Sequence, residues 1–243
     1  MGTHVTLGLD ADLLASGIPS KIRWDYSRYP HLVVFGATGS GKTYFTRLLL
    51  AKIGKWVPHA QICVCDFKGD EDFAFLSGCP DFFRFERCSE GLEAAVKKLE
   101  ARQNGADPSR SFYLLFFDEW AAYLNYLDKK AAEEAKRRLS VLLMLGRSFN
   151  IHVLISQQRV DAVYFNAARD NFSVIIGLGR LSREAVNMMF SDFREEIKAD
   201  KPRGQGSALV GNRLYNIVVP RVKDPVAMEQ AIRSVVWPDR ERR

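Results

Sequence analysis

The sequence predicts an α/β fold in three layers, a mainly parallel central sheet flanked by helices on both faces, and three observations lead there. Apolar runs of strand length recur at residues 32–35, 62–65, 112–117, 151–155 and 174–178. They are apolar at successive positions rather than alternately, as strands buried on both faces of a parallel sheet are. Helix-like stretches separate them, at 43–53, at 92–102 behind a Ser89 cap, at 131–144 and at 182–190. Such alternation is the sequence form of a layered α/β domain.

Near the C-terminus the pattern changes. Residues 208–210, a Gly211-Asn212 turn and residues 214–219 predict an antiparallel hairpin at the edge of the sheet. A final helix begins near Asp224-Pro225 and ends before Trp237-Pro238. Residues 103–110 and 198–206 are rich in turn formers and charge and read as loops. At 243 residues the chain fits one large domain over 1–243, with a lead-in over 1–29, a core over 30–222 and a C-terminal helix and tail over 223–243. The tail residues 239–243 mix both charge signs and read as a solvated end.

Composition excludes several classes. Hydrophobic residues make up 47% and charged residues 26%, which is ordinary for a globular protein and unlike a disordered or fibrous one. No run approaches the roughly 20 apolar residues of a membrane span, and the N-terminus lacks a signal layout, so a cytoplasmic, unanchored protein is expected. A net charge of +6 and a pI near 9.2 permit a polyanionic partner. Of the four cysteines, Cys63 and Cys65 are expected on opposite faces of a strand, a poor zinc arrangement, and all are read as reduced thiols.

The chemistry begins at Gly36, Ala37, Thr38, Gly39, Ser40, Gly41, Lys42 and Thr43, followed by Tyr44. This is G-x-x-x-x-G-K-[ST] placed between an apolar strand and a helix, where its mechanism needs it. The glycines let backbone N–H groups turn inward as an anion cradle, Lys42 reaches terminal phosphates, and the Thr43 hydroxyl can ligate Mg2+. ATP and Mg2+ are therefore the expected ligands. A competing reading takes Gly36, Gly39 and Gly41 as a dinucleotide turn, with Asp66 and a Tyr126-x-x-x-Lys130 pair as a reductase site. Lys42 opposes it by placing a cation where a dinucleotide turn needs close helix packing.

Residues 112–117 run into Asp118-Glu119. Strand alternation would aim Asp118 at the metal and displace Glu119 toward the γ-phosphate, where it can deprotonate water. A small-molecule kinase has no necessary use for that second carboxylate, so hydrolysis is favoured. Leu76-Ser77-Gly78 begins like the signature loop of transporter ATPases, but Cys79 and Pro80 break it. Residues 151–155 run into Ser156-Gln157-Gln158-Arg159, which places Gln158 to sense the γ-phosphate or the attacking water. Arg147 follows a helix; it is either a cation answering the helix dipole or an arginine finger directed at a neighbour's phosphate.

Taken together these segments resemble the FtsK/HerA superfamily of DNA-pumping ATPases, especially FtsK-like and conjugative coupling proteins. The resemblance rests on Pro30-His31-Leu32-Val33-Val34 leading into the phosphate loop, Val5-Thr6-Leu7-Gly8-Leu9-Asp10 upstream, and Asp66-Phe67-Lys68-Gly69. It continues in Asp118-Glu119, in the stretch 146–159, in Ala168-Arg169-Asp170-Asn171-Phe172 and in Gly204-Gln205-Gly206. Phe67 stands where FtsK-like members usually carry Pro, and Val160 replaces the Pro that often follows Gln-Arg.

The resemblance implies a RecA-like P-loop NTPase core, a hexameric ring, and ATP-driven movement of double-stranded DNA in conjugation, partition or packaging. It makes Arg147 a finger acting across the subunit boundary and Gln158 the sensor. A membrane-complex, relaxase or capsid-type protein is a candidate partner, and no small-molecule substrate besides ATP is expected. Backbone contact with DNA needs cations on pore loops, for which Arg102, Arg110, Arg159, Arg169 and Lys68 are candidates beside Tyr164-Phe165, each also readable as ordinary surface or core. The rival function is a nucleotide-dependent assembly or switch ATPase that does not pump DNA.

Overall fold

The computed structural model describes residues 2–237, so the tail at 239–243 lies outside the described residues. Ten strands form one sheet in the order β2-β1-β10-β9-β8-β3-β7-β6-β4-β5. The strands are β1 (His4–Asp10), β2 (Lys21–Asp25), β3 (His31–Phe35), β4 (Gln61–Asp66), β5 (Phe82–Arg84), β6 (Tyr113–Asp118), β7 (Ile151–Gln157), β8 (Val174–Leu178), β9 (Gln205–Val210) and β10 (Arg213–Val218). From β8 to β5 all neighbours pair in parallel; from β8 through β9, β10, β1 and β2 they pair antiparallel.

The helices are α1 (Ala11–Ala15), α2 (Lys42–Trp56), α3 (Cys88–Gln103), α4 (Trp120–Tyr126), α5 (Lys129–Leu145), α6 (Arg183–Met189) and α7 (Pro225–Val236). Side-chain alternation along the buried strands splits the core in two. Leu32, Val34, Leu114 and Phe116 face α2 and α7, where Phe45, Leu49, Ile53 and Ile232 meet them. Val33, Phe35, Leu115 and Phe117 face α3 and α5, against Leu92, Leu99, Leu139 and Leu142. Each such fully buried side chain contributes roughly 1.5–3 kcal/mol by leaving water. Among the described residues no helix is long and apolar enough to cross a membrane.

Three details differ from the sequence reading. The β9–β10 hairpin is antiparallel as expected but is not the edge: β1 and β2 continue the sheet beyond it, so residues before 30 supply two strands and the fully buried Trp24. Cys63 and Cys65 share one face because side chains two apart on a strand point the same way; both sit in the α3–α5 core beside Cys88. Ser89 is no cap: α3 starts at Cys88, and the Ser89 hydroxyl donates to the Glu86 carbonyl within the first turn. Two other helices are capped by carboxylates, Asp128 accepting from Ala131 N–H and Asp224 from Ala227 N–H.

Candidate nucleotide-binding site

β3 ends at Phe35 and α2 begins at Lys42, so the phosphate loop is the six-residue turn between them. Gly36 has φ 149°, and a Cβ there would lie 2.2 Å from the Leu178 carbonyl oxygen on neighbouring β8. Only a residue without a side chain fits that approach. Gly41, at φ 103°, precedes α2 without any side-chain cap, which leaves the first helical N–H groups of α2 turned to the loop. The Ser40 hydroxyl oxygen is buried without a partner beside them. An oxyanion fits this cradle of unused donors.

Lys42 is buried, and its Nζ donates to the Gly36 carbonyl at 2.7 Å and the Ala37 carbonyl at 3.2 Å. Burial pulls its pKa below the usual lysine value, against the opposing pull of Glu119 and Asp118. A cavity of about 270 Å3 opens over the loop, and Lys42, Thr43, Tyr44, Asp118, Glu119 and Gln158 all line it. Thr38, Gly39, Gly41, Lys42, Thr43 and Tyr44 thus converge with Asp118, Glu119 and Gln158 on one space at the carboxyl ends of β3, β6 and β7, while Gly36 and Ala37 line a neighbouring cavity.

Asp118 is the last residue of β6, in register with Asp66 on one side and Ser156 on the other. Its pKa is pushed up to about 7, chiefly by burial; the Ser156 hydroxyl works against the shift, and Glu119, Asp66 and Asp70 add to it. Glu119 is set apart from Asp118 not by strand alternation, as the sequence suggested, but by a backbone turn. It adopts φ 58° and ψ 49°, a left-handed conformation rare for a residue with a side chain, while its N–H donates to the Ser156 carbonyl at 2.7 Å. It occupies the N-cap position of α4 yet makes no capping bond, and its carboxylate instead accepts from Gln158 Nε2 at 3.3 Å. Gln158 Oε1 in turn accepts from the Thr38 hydroxyl at 3.2 Å. Gln157 stays within β7, fully buried, and does not reach the cavity.

Arg147 is elsewhere. It lies on the turn Gly146–Phe149 before β7, exposed, with Nε donating to the Ser27 carbonyl at 3.3 Å. β7 runs its 7 residues from that end to the cavity end, roughly 20 Å at the usual rise per residue. Of the proposed DNA-contacting cations, Arg102 is contradicted: it is fully buried and bonds Asp107 and the carbonyls of Phe149, Asn150 and Ser111. Lys68 lines the nucleotide cavity and pairs with Asp70 at 2.6 Å. Arg110 donates to the Ser148 carbonyl and lies over Phe149, and Arg169 pairs with Asp170. Phe165 packs against Phe172 in the core, whereas Tyr164 is half-buried and its hydroxyl accepts from Asn125 Nδ2 at the surface.

Asp66 accepts from Gly69 N–H and faces Arg84, which holds the 66–70 loop in place. Tyr126 bonds Glu86 at a separate cavity on the β5 side, so the reductase pair does not form. Sequence reasoning missed Arg47, Asp72 and Arg203, which complete the cavity wall. Arg47 was within reach, being one turn along α2 from Thr43; Arg203 was flagged only by the Gly204-Gln205-Gly206 beside it.

A parallel sheet whose central strand delivers a Gly-rich loop to an uncapped helix, beside a strand ending in carboxylates, defines a RecA-like P-loop ATPase fold. Within that class the chain is similar to ATPases of the FtsK/HerA type. The family described as the helicase HerA central domain matches residues 12–101. The FtsK domain-containing protein YdcQ of Bacillus subtilis is 28% identical over 224 residues, covering 84% of this chain and 46% of that protein, so the chain spans about half of it. Among solved structures, EssC ATPases 2 and 3 from Geobacillus thermodenitrificans superpose with TM-score 0.74 at 15% identity, over 97% of this chain and 48% of that one. The pCW3 conjugation coupling protein TcpA with ATPgS gives 0.71 at 19% identity, over 89% and 65%. At these identities the structures speak to fold alone.

Proposed function

We propose that this chain is a Mg2+-dependent ATP hydrolase whose turnover moves double-stranded DNA through a ring of its own copies, with six subunits as the expected number. The observation that carries the hydrolase reading is the meeting of Lys42, Thr43, Asp118, Glu119 and Gln158 in one cavity. The DNA and ring assignments rest on the likeness to FtsK/HerA-type proteins and on a net charge of +6.

In this reading the loop N–H groups from Gly36 to Thr43 and the Lys42 ammonium bind the phosphates, with Tyr44 on the same wall. Thr43 and Asp118 would hold Mg2+. The described residues contain no cluster of three or more His, Cys, Asp or Glu side chains suited to a metal, so two protein oxygens completed by phosphate and water oxygens fit the ion's preferences. When bound, Mg2+ supplies charge neutralisation on the phosphate oxygens. Glu119 accepts the proton of the attacking water as its oxygen bonds to the γ-phosphorus and the bridge to the β-phosphate breaks, releasing ADP and phosphate. Gln158 holds the Glu119 carboxylate and reports on the loop through Thr38. Arg147 cannot serve its own cavity from the opposite end of β7, so its proposed role is on a neighbouring subunit.

Steady-state ATP hydrolysis with and without long linear double-stranded DNA, with Lys42→Ala as background, tests the reading. Stimulation that fades as salt rises supports a backbone-tracking motor. A rate indifferent to DNA supports the switch ATPase instead.

A further inference from the structure

The phosphate loop has a second wall that the triphosphatase motifs do not account for. The segment leading into β9 crosses over it: Gly204 N–H donates to the Ser40 carbonyl at 3.0 Å. Gly41 packs so closely there that a Cβ on it would lie 3.4 Å from the Gly204 nitrogen and 3.8 Å from Arg203 Cγ. The segment is itself held firmly. Gln205 N–H donates to the Pro202 carbonyl at 3.0 Å, and Val219 N–H donates to the Gly204 carbonyl at 2.8 Å.

Two cations on this segment are used differently. Lys201 Nζ spends its three donors on the Gly206 carbonyl, Ser207 Oγ and Asn216 Oδ1, at 2.8, 2.9 and 2.6 Å, and so anchors the segment to β9 and β10. Arg203 lines the nucleotide cavity, is exposed, and among the described residues forms no ion pair with a carboxylate. A guanidinium held at its backbone beside a cradle of unused N–H donors is complementary to an oxyanion. Its place is beside Gly41, at the start of α2, whereas the Gln158–Glu119 pair is bonded to Thr38.

We propose that Arg203 is a phosphate-contacting residue of this site, gripping the α- or β-phosphate of the bound nucleotide from within the same chain, not the γ-phosphate that is transferred. This deepens the ATP-hydrolase reading and rests on it. Because the gripped groups remain in ADP, the contact strengthens binding of substrate and product alike.

Equilibrium binding of ATP and of ADP with Mg2+, measured by calorimetry on the full chain, is the test, using wild type, Arg203→Ala, Arg203→Lys and Arg213→Ala. Arg213, stacked on Tyr215 in β10, controls for loss of one surface charge. Arg203→Ala is expected to weaken both nucleotides about 10- to 100-fold, as loss of a charge-assisted hydrogen bond does. Arg203→Lys recovers part of the loss, and Arg213→Ala matches wild type in nucleotide affinity and in kcat. Unchanged ADP affinity in Arg203→Ala overturns the proposal, as does a loss confined to ATP or to kcat, or an equal loss in Arg213→Ala. If the wild type binds neither nucleotide, the ATP-hydrolase reading fails first; if it binds both, only the Arg203 assignment is at stake.

Discussion

The Gln158 amide donates to the Glu119 carboxylate at 3.3 Å while its oxygen accepts from Thr38 of the phosphate loop at 3.2 Å, so one side chain spans the loop and the proposed base. Glu119→Gln should therefore retain ATP binding and lower turnover roughly 100- to 10,000-fold, the usual worth of a general base. Gln158→Ala should lower kcat about tenfold with little change in ATP affinity, since it removes the charge-assisted hydrogen bond that orients the carboxylate. Single-turnover hydrolysis beside equilibrium binding separates the two effects, and normal turnover in Glu119→Gln would remove the base assignment.

Gly36→Ala should abolish nucleotide binding as completely as Lys42→Ala, although it deletes no functional group. The added carbon meets the Leu178 carbonyl at 2.2 Å and Ser40 Oγ at 2.9 Å, so the loop must leave its position against β8. Strain of this kind costs about 1–3 kcal/mol, a fall in Tm of roughly 2–4 °C per kcal/mol for a chain of this size. Calorimetric Tm with a nucleotide titration reads both; Lys42→Ala should lose binding without the Tm loss.

Asp118 makes stability and nucleotide binding depend on pH in opposite directions. Between the unfolded value near 4 and the folded value of about 7, the native protein keeps a proton the unfolded chain has released, so stability falls as pH rises through that window. Asp118→Asn in the absence of nucleotide should be more stable than wild type at pH 8, by ~2–4 kcal/mol, and equal to it below pH 4 or so. Metal-nucleotide affinity should do the reverse in the wild type, weakening about tenfold per pH unit below 7, because the carboxyl must ionise to hold a cation. Denaturant curves and Mg-ATP titrations at pH 5.5, 6.5 and 8 check both arms.

Arg102→Met should cost about 3–5 kcal/mol of folding stability while leaving DNA dependence per folded molecule unchanged. Its guanidinium is fully buried and bonds Asp107 and three carbonyls; after the substitution Asp107 keeps Lys98 and the Asn150 carbonyl keeps the Tyr113 N–H, while the Phe149 and Ser111 carbonyls lose this donor. Urea midpoints report the loss. A normal midpoint with weakened DNA stimulation would return Arg102 to the DNA surface.

The central strands were legible because β3, β6 and β7 are buried along their whole length and leave apolar runs, interrupted within 151–155 only by His152. β2 was not: its Lys21, Ile22, Arg23, Trp24 alternate exposed and buried, and five residues of alternation look like loop until a partner strand is known. β5 has 3 residues and no periodicity to detect. Within the site, Lys42, Thr43, Asp118, Glu119 and Gln158 sit at fixed offsets from strand ends, so spacing found them. Arg203 reaches the cavity through a loop whose path depends on Gly204 bonding Ser40, a contact between residues distant in sequence. Arg102 misled for a related reason, since composition cannot tell a buried guanidinium from a solvated one.

The separation of Arg147 from the phosphate loop also gives the subunit a polarity. Any contact that brings this arginine of one copy to the cavity of the next joins unlike surfaces, so each copy keeps one of each surface for another neighbour. A two-fold dimer cannot satisfy that geometry with a single contact. Repeated with a rotation that closes, it gives a ring in which every nucleotide is shared between neighbours; without closure it gives a helical filament. A change of a few degrees at that junction would therefore decide between the two.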